Sequence, residues 1–137
     1  MSKQIRVLVI EDTTTLIGYM EKRLKQYGVS YEIAMWYSQA EELIRAGGDY
    51  DFVLLDHRMP RNDPGCTNES NFDKHCDSLL NIGYGLIPLI KEFLPNAVII
   101  GTSSMSSEIR GFEMPKRTMI KHRVWTDLPT IIEEFQK

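Results

Sequence analysis

An uninterrupted apolar run at residues 52–55, with the sequence FVLL, constrains the fold of this chain more than any other stretch. Four apolar residues without a polar break are typical of a strand that is buried on both faces of a parallel sheet. The run ends in a carboxylate, Asp56, followed by polar residues and Pro60. Ligands of open α/β sheets bind beyond the carboxyl ends of the strands. Asp56 therefore has either a functional role or the simpler one of capping a strand or turn.

A second run, at residues 5–10, is apolar apart from Arg6, is rich in β-branched residues and also ends in acids, Glu11 and Asp12. If the two strands are parallel neighbours, three carboxylates converge at one edge of the sheet. Like charges that are packed together repel and raise one another's pKa. A hard divalent cation relieves this repulsion, and Mg²⁺ prefers a few carboxylates together with water and phosphate oxygens. The sequence therefore predicts a magnesium site formed by Glu11, Asp12 and Asp56.

Strand-like and helix-like patterns alternate along most of the chain, which predicts parallel βαβ units. We expect a doubly wound α/β fold of the flavodoxin type, with a five-stranded parallel sheet in the order 2-1-3-4-5. That order makes the first and third strands neighbours, as the magnesium site requires. The other predicted elements are strands at 30–35, 97–100 and 118–120, a capping box at Ser38–Glu41, a short helix at about 105–112, and a last helix capped by Thr126 and Asp127.

Composition limits the classes of protein to which this chain can belong. Its 137 residues, 42% of them hydrophobic, fit one globular domain over 1–137. A net charge of −3 without a block of like charge argues against nucleic acid or an anionic membrane as the main partner. No apolar run reaches membrane-spanning length and no signal-peptide core is present, so we expect a cytoplasmic location. Cys66 and Cys76 are then free thiols, and their spacing with His75 matches no standard zinc motif.

Three motifs in combination resemble the receiver domain of two-component response regulators. They are VLVIED at 7–12, VLLDHRMP at 53–60 and GTSS at 101–104. The resemblance implies that Asp56 accepts a phosphoryl group from a phosphohistidine. It also implies that Glu11 and Asp12 hold Mg²⁺ together with Asp56 and the backbone carbonyl of Arg58.

Two further roles are implied by the same resemblance. Thr102 would hydrogen-bond the phosphoryl oxygens, and a lysine after the fifth strand would pair with them. Lys121 fits that position better than Lys116, because it directly follows the apolar residues of the predicted strand.

The chain departs from the family pattern near this lysine. Family members usually have a proline after the lysine, where this chain has His122. Three residues before the lysine the family usually has an aromatic residue that moves with the threonine, and here Thr118 occupies that position. Trp125 and Phe112 are both candidates for the role of that aromatic residue.

The largest departure is a polar, turn-rich insertion at residues 61–81, between the third strand and the third helix. The family usually reaches a glycine that opens the third helix within a few residues, and here Gly83 or Gly85 takes that place. The insertion is longer than connections in compact domains normally are. It is predicted to lie beside the acidic site, as a lid, a docking loop or a disordered segment.

The resemblance implies a stand-alone receiver domain that is a monomer or weak dimer and not an enzyme, beyond Mg²⁺-dependent self-phosphorylation and autodephosphorylation. Its partners would be a sensor histidine kinase or a histidine phosphotransfer protein, and a downstream protein bound by the fourth helix, fifth strand and fifth helix. One alternative is a pseudo-receiver that is not phosphorylated. A hydrolase with an aspartate nucleophile is disfavoured, because Arg58 stands where that class has a second aspartate. A piece of a longer regulator is a third alternative.

Overall fold

The computed structural model describes residues 4–103 and 111–136. The strands in this part of the chain are β1 (Arg6–Ile10), β2 (Ser30–Ala34), β3 (Phe52–Asp56), β4 (Arg58–Pro60), β5 (Leu79–Asn81), β6 (Val98–Ser103) and β7 (Arg117–Ile120). The α-helices are α1 (Thr14–Gln26), α2 (Tyr37–Ala46), α3 (Phe72–Ser78), α4 (Ile87–Phe93) and α5 (Val124–Gln136). Short 3₁₀ turns at Gly83–Leu86 and Lys121–Arg123 lead into α4 and α5.

Five of the strands form one sheet in the order β2-β1-β3-β6-β7, and each neighbouring pair is parallel. This order confirms the predicted doubly wound, flavodoxin-like fold class. In the register of β1 and β3, Ile10 lies opposite Leu55, and in that of β3 and β6, Asp56 lies opposite Thr102. The polar residues that follow β1 and end β3 therefore leave the sheet at the same edge.

Helices cover both faces of the sheet. Successive strand residues point to opposite sides, so the apolar strands place hydrophobic side chains on both faces. Val7 and Val9 of β1 pack in the core formed with α1 and α5, whereas Leu8 and Ile10 pack in the core formed with α2 and α4. The hydrophobic residues of β3 are divided between the same two cores and are all at most 1% exposed. The FVLL run is thus a central strand that is buried on both faces, as predicted.

The predicted capping box at Ser38–Glu41 is wrong, because α2 begins one residue earlier, at Tyr37. The backbone N–H of Ser38 donates to the carbonyl of Arg61 at 2.9 Å. A residue distant in sequence therefore satisfies an N–H group that the capping box would otherwise have to satisfy. Such a tertiary contact has no signature in the local sequence.

The start of α5 also differs from the prediction. The helix begins at Val124, two residues before the predicted cap at Thr126, because the 3₁₀ turn at Lys121–Arg123 continues directly into it. The short helix predicted at about 105–112 falls mostly on residues 104–110, which lie outside the described residues. No helix within the described ranges combines the length and apolar character needed to cross a bilayer.

The insertion after β3 is built on a small antiparallel ladder between β4 and β5, in which Met59 lies opposite Leu80. Between these strands the chain forms α3, whose first turn is capped by the Asn71 side chain. The side chain of Asn68 accepts hydrogen bonds from the backbone N–H and the hydroxyl of Thr14, at 2.9 and 3.0 Å. The insertion is therefore structured and attached to the start of α1.

Candidate functional site

Three carboxylates meet at the carboxyl edge of the sheet. Glu11 and Asp12 directly follow β1, Asp56 ends β3, and one oxygen of each lies within 4.8 Å of the others. All three residues are at most 3% exposed. An octahedral Mg²⁺ ion binds oxygens at about 2.0–2.1 Å, so its neighbouring ligands are about 3 Å apart and opposite ones about 4 Å apart. A small shift of the side chains would therefore let the three carboxylates share one divalent ion.

A lysine enters this acidic cluster from the turn that follows β7. The Nζ of Lys121 donates to Asp56 Oδ2 at 3.0 Å and lies 3.3 Å from Glu11 Oε1. The other candidate, Lys116, is exposed and lies before β7. The structure thus brings Lys121 to the carboxylates, while its role toward a phosphoryl group stays a prediction.

Burial dominates the electrostatics of the cluster. It raises the pKa of Asp56 well above its usual range, and the Glu11 charge adds to this effect while Lys121 opposes it. Burial also raises the pKa of Glu11, again against the effect of Lys121. Burial alone would lower the pKa of Lys121, but the charges of Glu11 and Asp56 outweigh it and raise that pKa. One ammonium group thus faces three carboxyl groups, so a bound cation would neutralise the remaining negative charge when all three are ionised.

Thr102 lies in β6 directly opposite Asp56 and is 1% exposed. Its Oγ1 has no hydrogen-bond partner among the described residues. A buried hydroxyl without a partner costs about 1–3 kcal/mol, so such groups usually serve a purpose. An anion held beside Asp56 would give this hydroxyl an acceptor.

The two residues after Asp56 differ in exposure. The side chain of Arg58 is exposed, and the metal-binding role of its backbone carbonyl stays a prediction. His57 is 8% exposed, and its Nδ1 accepts a hydrogen bond from the backbone N–H of Tyr84 at 3.0 Å. Its carbonyl also accepts from the N–H of Gly83 at 2.7 Å. Burial lowers the pKa of His57, so a neutral ring holds the turn that precedes α4.

Comparisons with known proteins agree with the fold. No protein-family model and no curated protein matches this sequence. Among solved structures, response regulator TrrA of Thermotoga maritima, crystallised with Mg²⁺ and BeF, matches with a TM-score of 0.70 and 18% identity, over 96% of this chain and 99% of that one. A response regulator receiver protein of Sinorhizobium medicae matches with a TM-score of 0.71 and 17% identity, over 98% and 95%.

A receiver domain protein of Methanospirillum hungatei matches with a TM-score of 0.69 and 16% identity, over 96% of this chain and 93% of that chain. In each of these matches, the similarity extends over nearly the full length of both chains. This chain has the fold of response regulator receiver domains.

The structure adds a third aromatic residue, Tyr84, to the two that the sequence suggested, and the roles of Phe112 and Trp125 stay predictions. Phe112 packs edge-on against His57, with 4.7 Å between the ring centroids, and Trp125 is 46% exposed on α5. Tyr84 is 1% exposed, and a Cβ added to Gly101 would overlap its hydroxyl. Tyr84 therefore packs against the residue that precedes Thr102. It was missed because it belongs to none of the motifs.

The insertion places a histidine, His75, against the acidic cluster. The sequence did not indicate this contact. His75 of α3 is 4% exposed, and its Nε2 lies 2.7 Å from Asp12 Oδ2. The sequence alone suggests for His75 only the role of a zinc ligand with Cys66 and Cys76. Both cysteines are free, and the metal-type cluster found in the described ranges is formed by Glu11, Asp12 and Asp56. No sequence signal joins His75 to Asp12, because 63 residues separate them.

A cavity of about 430 Å³ opens beside this pair. Asp12 and His75 line it from the side of the acidic cluster, and Trp36, Pro60 and Cys66 are among its other lining residues. The cavity thus borders the Asp12 side of the cluster.

Proposed function

We propose that this chain is a receiver domain that accepts a phosphoryl group on Asp56 from a phosphohistidine, with Mg²⁺ as cofactor. The observation that carries the proposal is the meeting of Glu11, Asp12 and Asp56 within 4.8 Å, with the Nζ of Lys121 3.0 Å from Asp56 Oδ2. Phosphoryl transfer depends mainly on positioning and charge neutralisation, and this cluster supplies both.

In the proposed reaction, a carboxylate oxygen of Asp56 forms a new bond to phosphorus as the phosphorus–nitrogen bond of the donor breaks. The departing imidazole nitrogen keeps the electron pair, and Asp56 becomes an acyl phosphate. Lys121 would pair with the transferred group, and the unpartnered hydroxyl of Thr102 would donate to one of its oxygens. His57 holds Asp56 for this step, because its backbone N–H donates to Asp56 Oδ1 at 2.9 Å.

The donor set suits Mg²⁺. The proposed ligands are the carboxylates of Glu11, Asp12 and Asp56 and the backbone carbonyl of Arg58, all hard oxygen donors of the kind that Mg²⁺ prefers. When bound, the ion would neutralise the carboxylates and the incoming phosphoryl oxygens. Glu11 holds the backbone at this point, since its Oε2 accepts from the N–H groups of Asp12 and Thr13, both at 3.1 Å.

The partners follow from the same proposal. A sensor histidine kinase or a histidine phosphotransfer protein would supply the phosphoryl group, in the cytoplasm. A downstream protein would bind the face that β7 and α5 share with the short helix predicted at about 105–112. Most residues of that predicted helix lie outside the described ranges. The domain would act over 1–137 as a monomer or weak dimer, without catalysis beyond its own phosphorylation and dephosphorylation.

The proposal is tested by incubating the purified chain with Mg²⁺ and acetyl phosphate and measuring its intact mass. We expect one phosphoryl adduct that disappears in Asp56→Asn and when Mg²⁺ is chelated. Asp49→Asn is the matched control, because Asp49 is exposed and precedes β3 rather than ending it. Beryllofluoride is expected to bind the wild type with the same dependence on Asp56.

A pseudo-receiver is the second candidate, favoured by one observation. Thr118 occupies the position where the family usually has an aromatic residue, and it is exposed in β7. The family's usual coupling between the threonine and an aromatic residue therefore has no aromatic side chain at that position. A folded chain that forms no adduct dependent on Asp56 with acetyl phosphate, and that does not bind beryllofluoride, would support this alternative and contradict the first.

A further inference from the structure

The insertion places a buried histidine on the carboxylate of Asp12. The distance of 2.7 Å between His75 Nε2 and Asp12 Oδ2 is that of a short, charge-assisted hydrogen bond. Both residues are at most 4% exposed, so water competes little for either group. A contact of this kind is energetically important in a buried site, because a carboxylate oxygen without a donor would be costly there.

The hydrogen-bond pattern indicates which nitrogen of His75 carries the proton. In a neutral imidazole, one nitrogen donates and the other accepts. His75 Nδ1 is buried and has no partner among the described residues. A proton on Nδ1 would therefore leave a buried donor unpaired and would set a lone pair of Nε2 against the carboxylate. A proton on Nε2 avoids both, so His75 donates from Nε2 to Asp12.

Contacts on both sides of α3 hold His75 in this position. The β4–β5 ladder closes the base of the insertion, and Asn68 binds the backbone N–H and hydroxyl of Thr14. The donor is thus held by a structured segment, so little side-chain entropy has to be lost when the hydrogen bond forms. The hydrogen bond from His75 engages Oδ2, one of the two Asp12 carboxylate oxygens.

We propose that His75 is a positioning residue of the metal site, and that the insertion at 61–81 is therefore part of that site. Its hydrogen bond orients the Asp12 carboxylate so that the other oxygen binds Mg²⁺. The inference rests on the proposed function, since it concerns the same ion. Hydrogen-bonding partners of metal ligands typically change metal affinity 10–100-fold, which sets the scale of the expected effect.

The test is calorimetric titration of Mg²⁺ into the wild type, His75→Leu and His75→Gln. We expect the leucine variant to bind Mg²⁺ about 10–100-fold more weakly. The glutamine variant, whose side-chain amide can donate to Asp12, is expected to recover most of the loss. A role limited to packing would give the opposite ranking, because leucine fills the apolar volume better than glutamine does.

Asn68→Ala is the matched control for the attachment of the insertion. It removes the two hydrogen bonds to Thr14 but keeps the His75 side chain and the β4–β5 ladder. Because these two hydrogen bonds are only part of what holds α3, we expect Mg²⁺ affinity to fall clearly less than it does in His75→Leu. A loss equal to that of His75→Leu would show that attachment of the insertion matters rather than the histidine, and would overturn the inference. Thermal unfolding without Mg²⁺ verifies that each variant is folded before titration.

A spectroscopic measurement separates positioning from direct ligation. Mn²⁺ bound in place of Mg²⁺ is expected to show no directly coordinated nitrogen by electron spin echo spectroscopy, because His75 acts through Asp12. A coordinated histidine nitrogen would overturn the inference. Equal or tighter Mg²⁺ binding by His75→Leu would also overturn it while leaving the proposed function intact. A wild type that binds no divalent ion would contradict both.

Discussion

Replacing Asp56 by asparagine is expected to stabilise the metal-free protein. The substitution keeps the shape of the side chain and removes one negative charge from a buried cluster of three carboxylates. Functional sites often hold like charges together at a cost in stability, and removing one of them relieves that cost. The expected gain is estimated from the distances within the cluster.

At an effective dielectric constant of about 20, two like charges 4.8 Å apart repel by roughly 3 kcal/mol. Asp56 has two such neighbours, Glu11 and Asp12. Its attraction to Lys121 at 3.0 Å is worth roughly 5 kcal/mol on the same scale and offsets most of that repulsion. The net gain in the free energy of unfolding is on the order of 1–2 kcal/mol, and removing the cost of burying the charge adds to it.

The gain should depend on pH in a defined direction. The pKa values of Asp56 and Glu11 are raised in the folded state, so the native protein retains protons that the unfolded chain releases. The stability gained from these protons is present at low pH and is lost as the pH rises through the raised values. We therefore expect the advantage of Asp56→Asn to be larger at about pH 8 than at about pH 5.

The assay is urea or thermal unfolding in the presence of a chelator, with circular dichroism as the readout. The gain corresponds to a rise in Tm of about 2–8 °C for a domain of this size. Saturating Mg²⁺ should stabilise the wild type by mass action and narrow the difference. Asp49→Asn, on the exposed surface, is expected to change the free energy of unfolding by less than about 0.5 kcal/mol. An Asp56→Asn variant no more stable than the wild type at high pH without metal would refute the electrostatic argument.

Two further substitutions test the geometry of the cluster. Lys121→Met should destabilise the metal-free protein by about 3–5 kcal/mol, because it leaves buried carboxylates without their cation. The loss should grow as the pH rises, whereas Lys116→Met, at an exposed site, should change little in the same urea unfolding series. Gly83→Ala should destabilise by more than about 3 kcal/mol, because its Cβ would overlap the backbone oxygen of Asp56. Gly85→Ala, whose Cβ would meet its nearest atom at 3.6 Å, is the control and should unfold close to the wild-type midpoint. Equal effects within either pair would contradict the structure.

The sheet and the acidic cluster were predictable because their signals are local. Residues 7–10 and 52–55 are apolar runs whose burial on both faces requires a central position in a parallel sheet. The acids that follow these runs must then emerge at one edge, whichever helices connect the strands. The preference for Lys121 over Lys116 followed from the same logic, since a residue directly after a strand reaches that edge.

The starts of two helices were predicted wrongly for a physical reason. Ser38 has the sequence of a helix cap, but its backbone N–H donates to the carbonyl of Arg61, and the helix begins at Tyr37. Local cap preferences are worth about 1 kcal/mol, which a tertiary hydrogen bond and the burial of neighbouring side chains can exceed. The polar composition of the insertion likewise indicated a loop, although a seven-residue helix, α3, lies within it.

The sequence by itself determined the layered architecture, the strand order and the position of three carboxylates at one edge. These features were predictable because the spacing of hydrophobic residues and the apolar runs of buried strands can be read from short stretches of the chain. Only the tertiary structure decided that His75 lies on Asp12 and that Tyr84 packs against Gly101. Each of these contacts joins segments far apart in the sequence. Such contacts depend on how whole elements pack, since no short pattern encodes the distance between two side chains that different segments contribute.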